Sequence, residues 1–271
     1  MRSFALGALV GASLISSACA PANNFVEPAG PRFAGVVSSS RVPALRGDTV
    51  VVATFNIENG EEVEGALKVL AEHRNLREAD LLLLQEVDAE ATAEVAETLA
   101  LNWVYYPARQ RAGQGFGSAV LSPWPIVEDA KVILPHRSWF GGTQRTATMA
   151  LVQVGELSVR VYSTHLATPV NQSPGDRQDQ LQAVIDHAGD APLVVIGGDL
   201  NSGSVGEVAL DDGYVWPTRE GPNTTFLDRV DHILFKGFRR ITGSPETGTV
   251  MDNQGASDHR AVWALVLRPP T

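Results

Sequence analysis

The sequence predicts an α/β domain in which two β-sheets pack face to face with helices on the outside. A long series of short apolar runs, too many for one small sheet, is interleaved with a few segments of helical spacing. Several of those runs also end on Asn, Gln, Glu, Asp or His. The carboxyl ends of strands are where α/β proteins place their ligands.

In chain order, VVATFNIENG (51–60) is an apolar strand ending on Asn56 and Glu58. Residues 61–73 carry Val63, Ala66, Leu67 and Leu70 at the spacing of an amphipathic helix, and DLLLLQEVD (80–88) then gives a buried strand ending on Gln85 and Glu86. Helices are expected over 89–100 and 176–188, and strands around 103–106, 117–121, 130–134, 146–154, 157–163, 192–196, 230–235 and 260–267. LSVRVYSTHL (157–166) delivers His165 at its end. In PLVVIGGDLN (192–201) the two glycines are expected to break the strand and release Asp199 and Asn201, two apart in an extended stretch and so able to share a face. RVDHILF (229–235) reverses the pattern, with Asp231 and His232 at the start of a strand. Together these ends supply carboxamides, carboxylates and imidazoles, a set that suits a hard divalent cation, a general base and a general acid.

The ordered blocks FNI, QEV, GFGSAVLS (115–122), STHL, GGDLN, RVDHILF and SDHRAV (257–262) resemble the endonuclease/exonuclease/phosphatase superfamily, over roughly residues 50–267. That superfamily includes secreted DNases, abasic-site endonucleases, neutral sphingomyelinases and inositol polyphosphate 5-phosphatases. The resemblance implies a DNase I-like four-layer α/β sandwich, two packed mixed sheets flanked by helices, with the site at one edge. It implies Glu86 as the principal Mg²⁺ ligand, with Mn²⁺ as the alternative metal. Asn56 then lies beside metal and phosphate, Glu58 beside a second metal position, and Asp258 as a further metal contact. It makes Asp199 the group that orients or deprotonates the attacking water, Asn201 a donor to the phosphoryl oxygens, and His165 a neighbour of the scissile phosphate. Asp231 and His259 become an acid pair, the carboxylate fixing the tautomer of the imidazole.

Each residue also has a plain structural reading. Glu86 can pair an arginine, GGDLN can be a tight turn satisfying its own backbone, and His165 can bond to backbone. His232 alternates to the opposite face from Asp231 and is expected to be structural. Arg145 and Arg177 match family arginines and read equally as substrate contacts or ion-pair partners. Ser118 stands where the family has asparagine, which puts any phosphate contact there in doubt. Arg109 and Arg111, with His136 to Phe140, lie in loops that shape substrate choice. Trp139 and Phe140 read as stacking or lipid-contacting groups, or as a small satellite core.

Residues 1–18, with one charge at Arg2 and an apolar core of 4–15, read as a removable export signal. Cys19 is the only cysteine, and the small residues before it resemble a lipoprotein cleavage site, with Ser16 where leucine is usual. Lipidation of Cys19 is the favoured expectation, and free secretion after the Ala18/Ala20 pattern is the alternative. Residues 19–48 read as a flexible tether, and 49–271 as the catalytic domain. A formal net charge of −10 disfavours a long nucleic-acid footprint without excluding a nuclease. The expected activity is Mg²⁺-dependent hydrolysis of phosphate esters outside the cytoplasm, foremost as a phosphodiesterase on DNA or RNA. A sphingomyelinase-like lipid phosphodiesterase, a phosphomonoesterase and a non-catalytic surface binding lipoprotein follow. The membrane is expected as a partner only through the lipid at Cys19, and no protein partner is evident.

Overall fold

The computed structural model describes residues 23–37, 44, 47–111, 113–241 and 246–269. The export signal and Cys19 lie outside the described residues. Thirteen strands and five α-helices are found among them. The strands are β1 (Phe33–Gly35), β2 (Thr49–Asn56), β3 (Leu81–Val87), β4 (Asn102–Arg111), β5 (Gln114–Ser122), β6 (Ile126–Arg137), β7 (Gln144–Val154), β8 (Leu157–His165), β9 (Val194–Asp199), β10 (Asp231–Lys236), β11 (Arg239–Arg240), β12 (Thr247–Thr249) and β13 (Val262–Leu267). The helices are α1 (Val63–Glu72), α2 (Arg74–Arg77), α3 (Ala89–Leu99), α4 (Pro174–Ala188) and α5 (Glu207–Asp211).

One sheet runs β1-β4-β5-β3-β2-β13-β11, with β12 also paired to β13, and the other runs β10-β9-β8-β7-β6. Each is mixed, because β2 runs parallel to β3 and β8 parallel to β9 while the other pairs are antiparallel. The period-two rule distributes their side chains into three apolar layers. Val50, Val52, Leu81, Leu83, Val161, Val195, Ile233 and Phe235 meet between the sheets. Val51, Ala53, Phe55, Leu82 and Leu84 point the other way, onto Ala66, Val69 and Leu70 of α1 and Val95 of α3. Tyr162, Val194, Ile196 and Leu234 likewise cover Leu181, Val184 and Ile185 of α4. Helix, sheet, sheet and helix therefore form the four-layer sandwich that the sequence predicts. Among the described residues no helix is long and apolar enough to cross a membrane.

Two expectations need correction. Gly197 and Gly198 do not break a strand, because β9 runs through them to Asp199. A Cβ on Gly197 would stand 2.7 Å from Leu83 Cδ1 of the facing sheet, and one on Gly198, whose φ is +141, would stand 1.9 Å from the Thr164 carbonyl oxygen. The glycines let two strands and two sheets approach. The described part of the expected tether is also not free, since Phe33–Gly35 pairs with β4 at the edge of the first sheet.

Candidate active site

Asn56, His165 and Asp199 are the last residues of β2, β8 and β9, and Asp231 is the first of β10. In register, His165 pairs with Asp199 and Asp199 with Asp231, so three functional groups stand side by side on adjacent strands. The layer between the sheets becomes polar at this end. Thr54 Oγ1 donates to Gln85 Oε1 at 3.1 Å, Gln85 Nε2 donates to Ser163 Oγ at 3.0 Å, and Ser163 Oγ donates to the Leu84 carbonyl at 3.0 Å. That network stitches the two sheets directly beneath the site and leaves none of its amide or hydroxyl groups buried without a partner.

Glu86 lies on a β-bulge, where Gln85 pairs with Ser118 and Val87 with Gly117. Its φ of 55 re-aims the side chain out of the ladder and toward Asn56. Asn56 Nδ2 donates to Glu86 Oε1 at 3.3 Å and to Asp199 Oδ2 at 3.2 Å. The same Asp199 oxygen lies 3.2 Å from His165 Nε2 and 3.7 Å from His259 Nε2. His259 Nδ1 donates to Asp231 Oδ2 at 2.7 Å, the bond expected of the acid pair. Ser257, to which the sequence assigned no role, holds this loop. Its hydroxyl donates to the Asn56 carbonyl at 2.7 Å and accepts the His259 N–H at 3.0 Å. Its place two residues before the histidine is the only signal that could have marked it.

The two histidines carry opposite electrostatics. Burial would lower the His259 pKa, but Asp231, then Asp199 and Asp258, hold it up at about 10, so it is an imidazolium at neutral pH. Burial, Arg145, His259 and Arg109 push His165 well below the ordinary value, so it is neutral. Asp199 is raised by burial and by Asp231, and Glu86 is raised by burial.

Asn201 departs from the extended arrangement expected. Its φ is 50, its N–H donates to Asp199 Oδ1 at 2.9 Å, and its Nδ2 donates to the Leu166 carbonyl at 2.9 Å. The turn that satisfies its own backbone is therefore present at the catalytic edge, and the two readings of GGDLN coexist. Glu58 and Asp258 sit on the rim, joined through Asp258 N–H to Glu58 Oε2 at 3.0 Å. The Asp258 side chain is 68% exposed and 3.9 Å from His259 Nε2.

Arg145 lies buried beneath the site, within electrostatic range of Asp199 and Glu86, with its Nε unpartnered and its pKa lowered to about 10 by burial. Arg177 instead donates to the Gln172 carbonyl at 2.9 Å and is structural. It belongs to the start of α4, where Ser173 and Asp176 form a capping box. His232 is buried as expected, accepting from Trp216 Nε1 at 3.1 Å. Trp139 and Phe140 are 61% and 71% exposed, which excludes a satellite core.

The family model described as Endonuclease/Exonuclease/phosphatase family matches residues 53–259. The chain belongs to this family. It is accordingly a metal-dependent hydrolase of phosphate ester bonds. Among solved structures, it is similar to an endonuclease/exonuclease/phosphatase from Beutenbergia cavernae DSM 12333, at 21% identity and TM-score 0.66, covering 82% of this chain and 72% of that one. A family protein from Leptotrichia buccalis C-1013-b matches at 15% identity and TM-score 0.64, over 80% and 99% of the two chains. D. rerio TDP2 complexed with single strand DNA product matches at 15% identity and TM-score 0.61, over 80% and 98%. A search of curated proteins gives no match.

Family members use divalent metals, and the residues here fit one. The Glu86 carboxylate is desolvated, and the nearest guanidinium nitrogen paired with it, on Arg111, is 3.9 Å away. A largely buried carboxylate held by one 3.3 Å amide hydrogen bond and no close guanidinium suits a cation. Asp199, Asp231 and His259 also stand close enough to share an ion, but the His259–Asp231 hydrogen bond already engages two of the three.

Proposed function

We propose that the protein is a Mg²⁺-dependent phosphodiesterase that cleaves nucleic acid outside the cytoplasm. The observation that carries this is the convergence of Asn56, a neutral His165 and a charged His259 on one oxygen of Asp199. The oxygen-rich set of Glu86, Asn56, Glu58 and Asp258 suits Mg²⁺, which when bound neutralises charge on the phosphoryl group. Asp199, raised by its burial and by Asp231, accepts the proton of the attacking water and aligns it. Asn56 and the Asn201 backbone hold that carboxylate in place. His259, kept cationic by Asp231, stabilises the developing charge on the equatorial or leaving oxygens. His165 and the second Asn201 amide hydrogen add neutral donors, so positioning and electrostatics carry the rate.

The leader before Cys19 supports export, with lipidation of Cys19 as the membrane attachment. The test is nicking of supercoiled plasmid by the full chain with Mg²⁺ or EDTA, beside His259→Ala. Nicking that needs Mg²⁺ and disappears in the variant is expected; no nicking by a folded, Mg²⁺-binding chain sinks the nuclease reading. One observation favours a lipid phosphodiester instead. Phe226 and Leu227, 91% and 82% exposed, tip the loop whose Thr224 hydroxyl accepts the Asp231 N–H. Release of phosphocholine from sphingomyelin vesicles in the absence of nicking would establish that second reading.

A further inference from the structure

One flank of the site carries two arginines with no close carboxylate partner among the described residues. The guanidinium carbons of Arg109 and Arg111 lie 4.7 Å and 5.8 Å from the centroid of the Phe116 ring, and that ring lies 6.1 Å from His165. Arg109 Nε is buried with no acceptor, while Arg111 donates to Asn59 Oδ1 and comes no closer to a carboxylate than the 3.9 Å approach to Glu86. Burial and the neighbouring Arg111 both work against the Arg109 charge. Two cations held beside one ring, one with an unfilled buried donor and neither with a carboxylate at hydrogen-bond distance among the described residues, are arranged to take an anion.

The same flank carries exposed aromatic rings. Residues 23–25 run along β4, with Gln110 N donating to the Asn23 carbonyl and Phe25 N to the Ala108 carbonyl, each at 2.8 Å. Asn24 then reaches the β6–β7 hairpin, its Nδ2 donating to the Gly142 carbonyl at 2.8 Å and its Oδ1 accepting the Gln144 N–H at 2.9 Å. This strap clips the hairpin bearing Trp139 and Phe140 beside Arg109 and Arg111, which lie on the end of β4, paired with β5, and not in a loop as the sequence suggests. Guanidiniums that track phosphates, next to rings on which bases stack, are the combination that single-stranded nucleic acid requires. A lipid with a single phosphate would leave these arginines without a ligand.

Resting on the nucleic-acid reading above, we infer that Arg109, Arg111, Trp139 and Phe140 form a subsite for the single-stranded segment flanking the scissile phosphate. The arginines take neighbouring phosphates and the rings take bases, and Asn24 is the positioning residue that holds the two halves together.

The test is binding of a fluorescein-labelled oligothymidylate of about 10 nucleotides to the full chain in EDTA, followed by anisotropy against salt. Each single-strand phosphate contact contributes about 0.7 to the slope of log K against log salt, so Arg109→Gln/Arg111→Gln should lower that slope by about 1.4. Arg111→Gln alone, on a half-exposed side chain, should lower it by about 0.7 and guards against misfolding of the double variant. Trp139→Ala/Phe140→Ala should weaken binding about tenfold or more and leave the slope unchanged. An unchanged slope in both arginine variants overturns the subsite, as does absence of wild-type binding at about 20 mM salt. Because EDTA stops turnover, the two failures are separable: an unchanged slope beside retained plasmid nicking overturns the subsite alone, whereas absence of nicking by the folded, Mg²⁺-binding chain overturns the nuclease reading on which it rests.

Discussion

Along the space between its two sheets the molecule changes from a dry half to a charged half, using the same strands for both. At one end β2, β3, β8, β9 and β10 contribute Val52, Leu83, Val161, Val195 and Phe235, and need nothing but close contact. At the other end the same strands present Asn56, Gln85, His165, Asp199 and Asp231, all almost fully buried. Polar groups at that depth are tolerated because they bond to one another across the two sheets and to His259 in the neighbouring loop, with His165 Nδ1 and Asp231 Oδ1 left over. The sandwich thus fixes its catalytic geometry with the hydrogen-bond registers that build its core.

If the two halves are so divided, damage to one should not resemble damage to the other. Asp199→Asn and His259→Ala are expected to lower metal-dependent phosphodiester turnover by about two to four orders of magnitude, the worth of one such group. Calorimetry should find the melting temperature of Asp199→Asn little changed, and for that variant a fall in activity that merely tracks unfolding would erase the distinction; His259→Ala also leaves the buried Asp231 carboxylate unpaired and should lose stability besides. In the dry half, Phe235→Ala removes a fully buried ring packed edge-on to Phe238 at 6.2 Å. It should cost about 3–5 kcal/mol in denaturant unfolding while the folded fraction keeps its turnover.

His232 sharpens the contrast, being fully buried and polar yet uncharged. Trp216 Nε1 donates to its Nδ1, and its Nε2 lies 3.2 Å from the Arg229 carbonyl, so both nitrogens are satisfied only in the neutral form. Burial lowers its pKa from 6.5 to about 4. The unfolded chain therefore binds this proton first as the solution is acidified. The contribution is complete above pH 6.5, and about 3 kcal/mol is lost as pH falls from there to about 4. Unfolding free energies of the wild type and His232→Gln over that range should converge at low pH; parallel curves would reject the assignment. At the boundary between the halves, Gly197→Ala should cost about 1–3 kcal/mol through the clash with Leu83, and a neutral result would mean the sheets can part there.

Much of this was readable from local pattern. The apolar runs VVATF and LLLL, the helical spacing from Val63 to Leu70, and the polar strand ends marked the layers and most of the groups that the structure brings together. What escaped depended on partners distant in sequence. Nothing local says that β3 bulges at Glu86, since the slip is defined only against Ser118 and Gly117 of β5. The two glycines of GGDLN were misjudged because their reason is Leu83 and Thr164, more than 30 residues away in each case. Phe33–Gly35 sits in a stretch rich in proline and small residues and becomes a strand only through β4. Arg145 was legible as a charge but not as a buried one, because burial is a property of the assembled sheets.

Glu58, Asn59, Glu86 and Asn201 all hold positive φ, and all lie at the site or its rim. Left-handed backbone costs a side chain about 1 kcal/mol, and glycine almost nothing, so at each position the residue useful for chemistry is the less stable choice. Glycine at Glu86 or Asn201 would relax the backbone and remove a side chain from the site in the same step, so local stability and activity are opposed there.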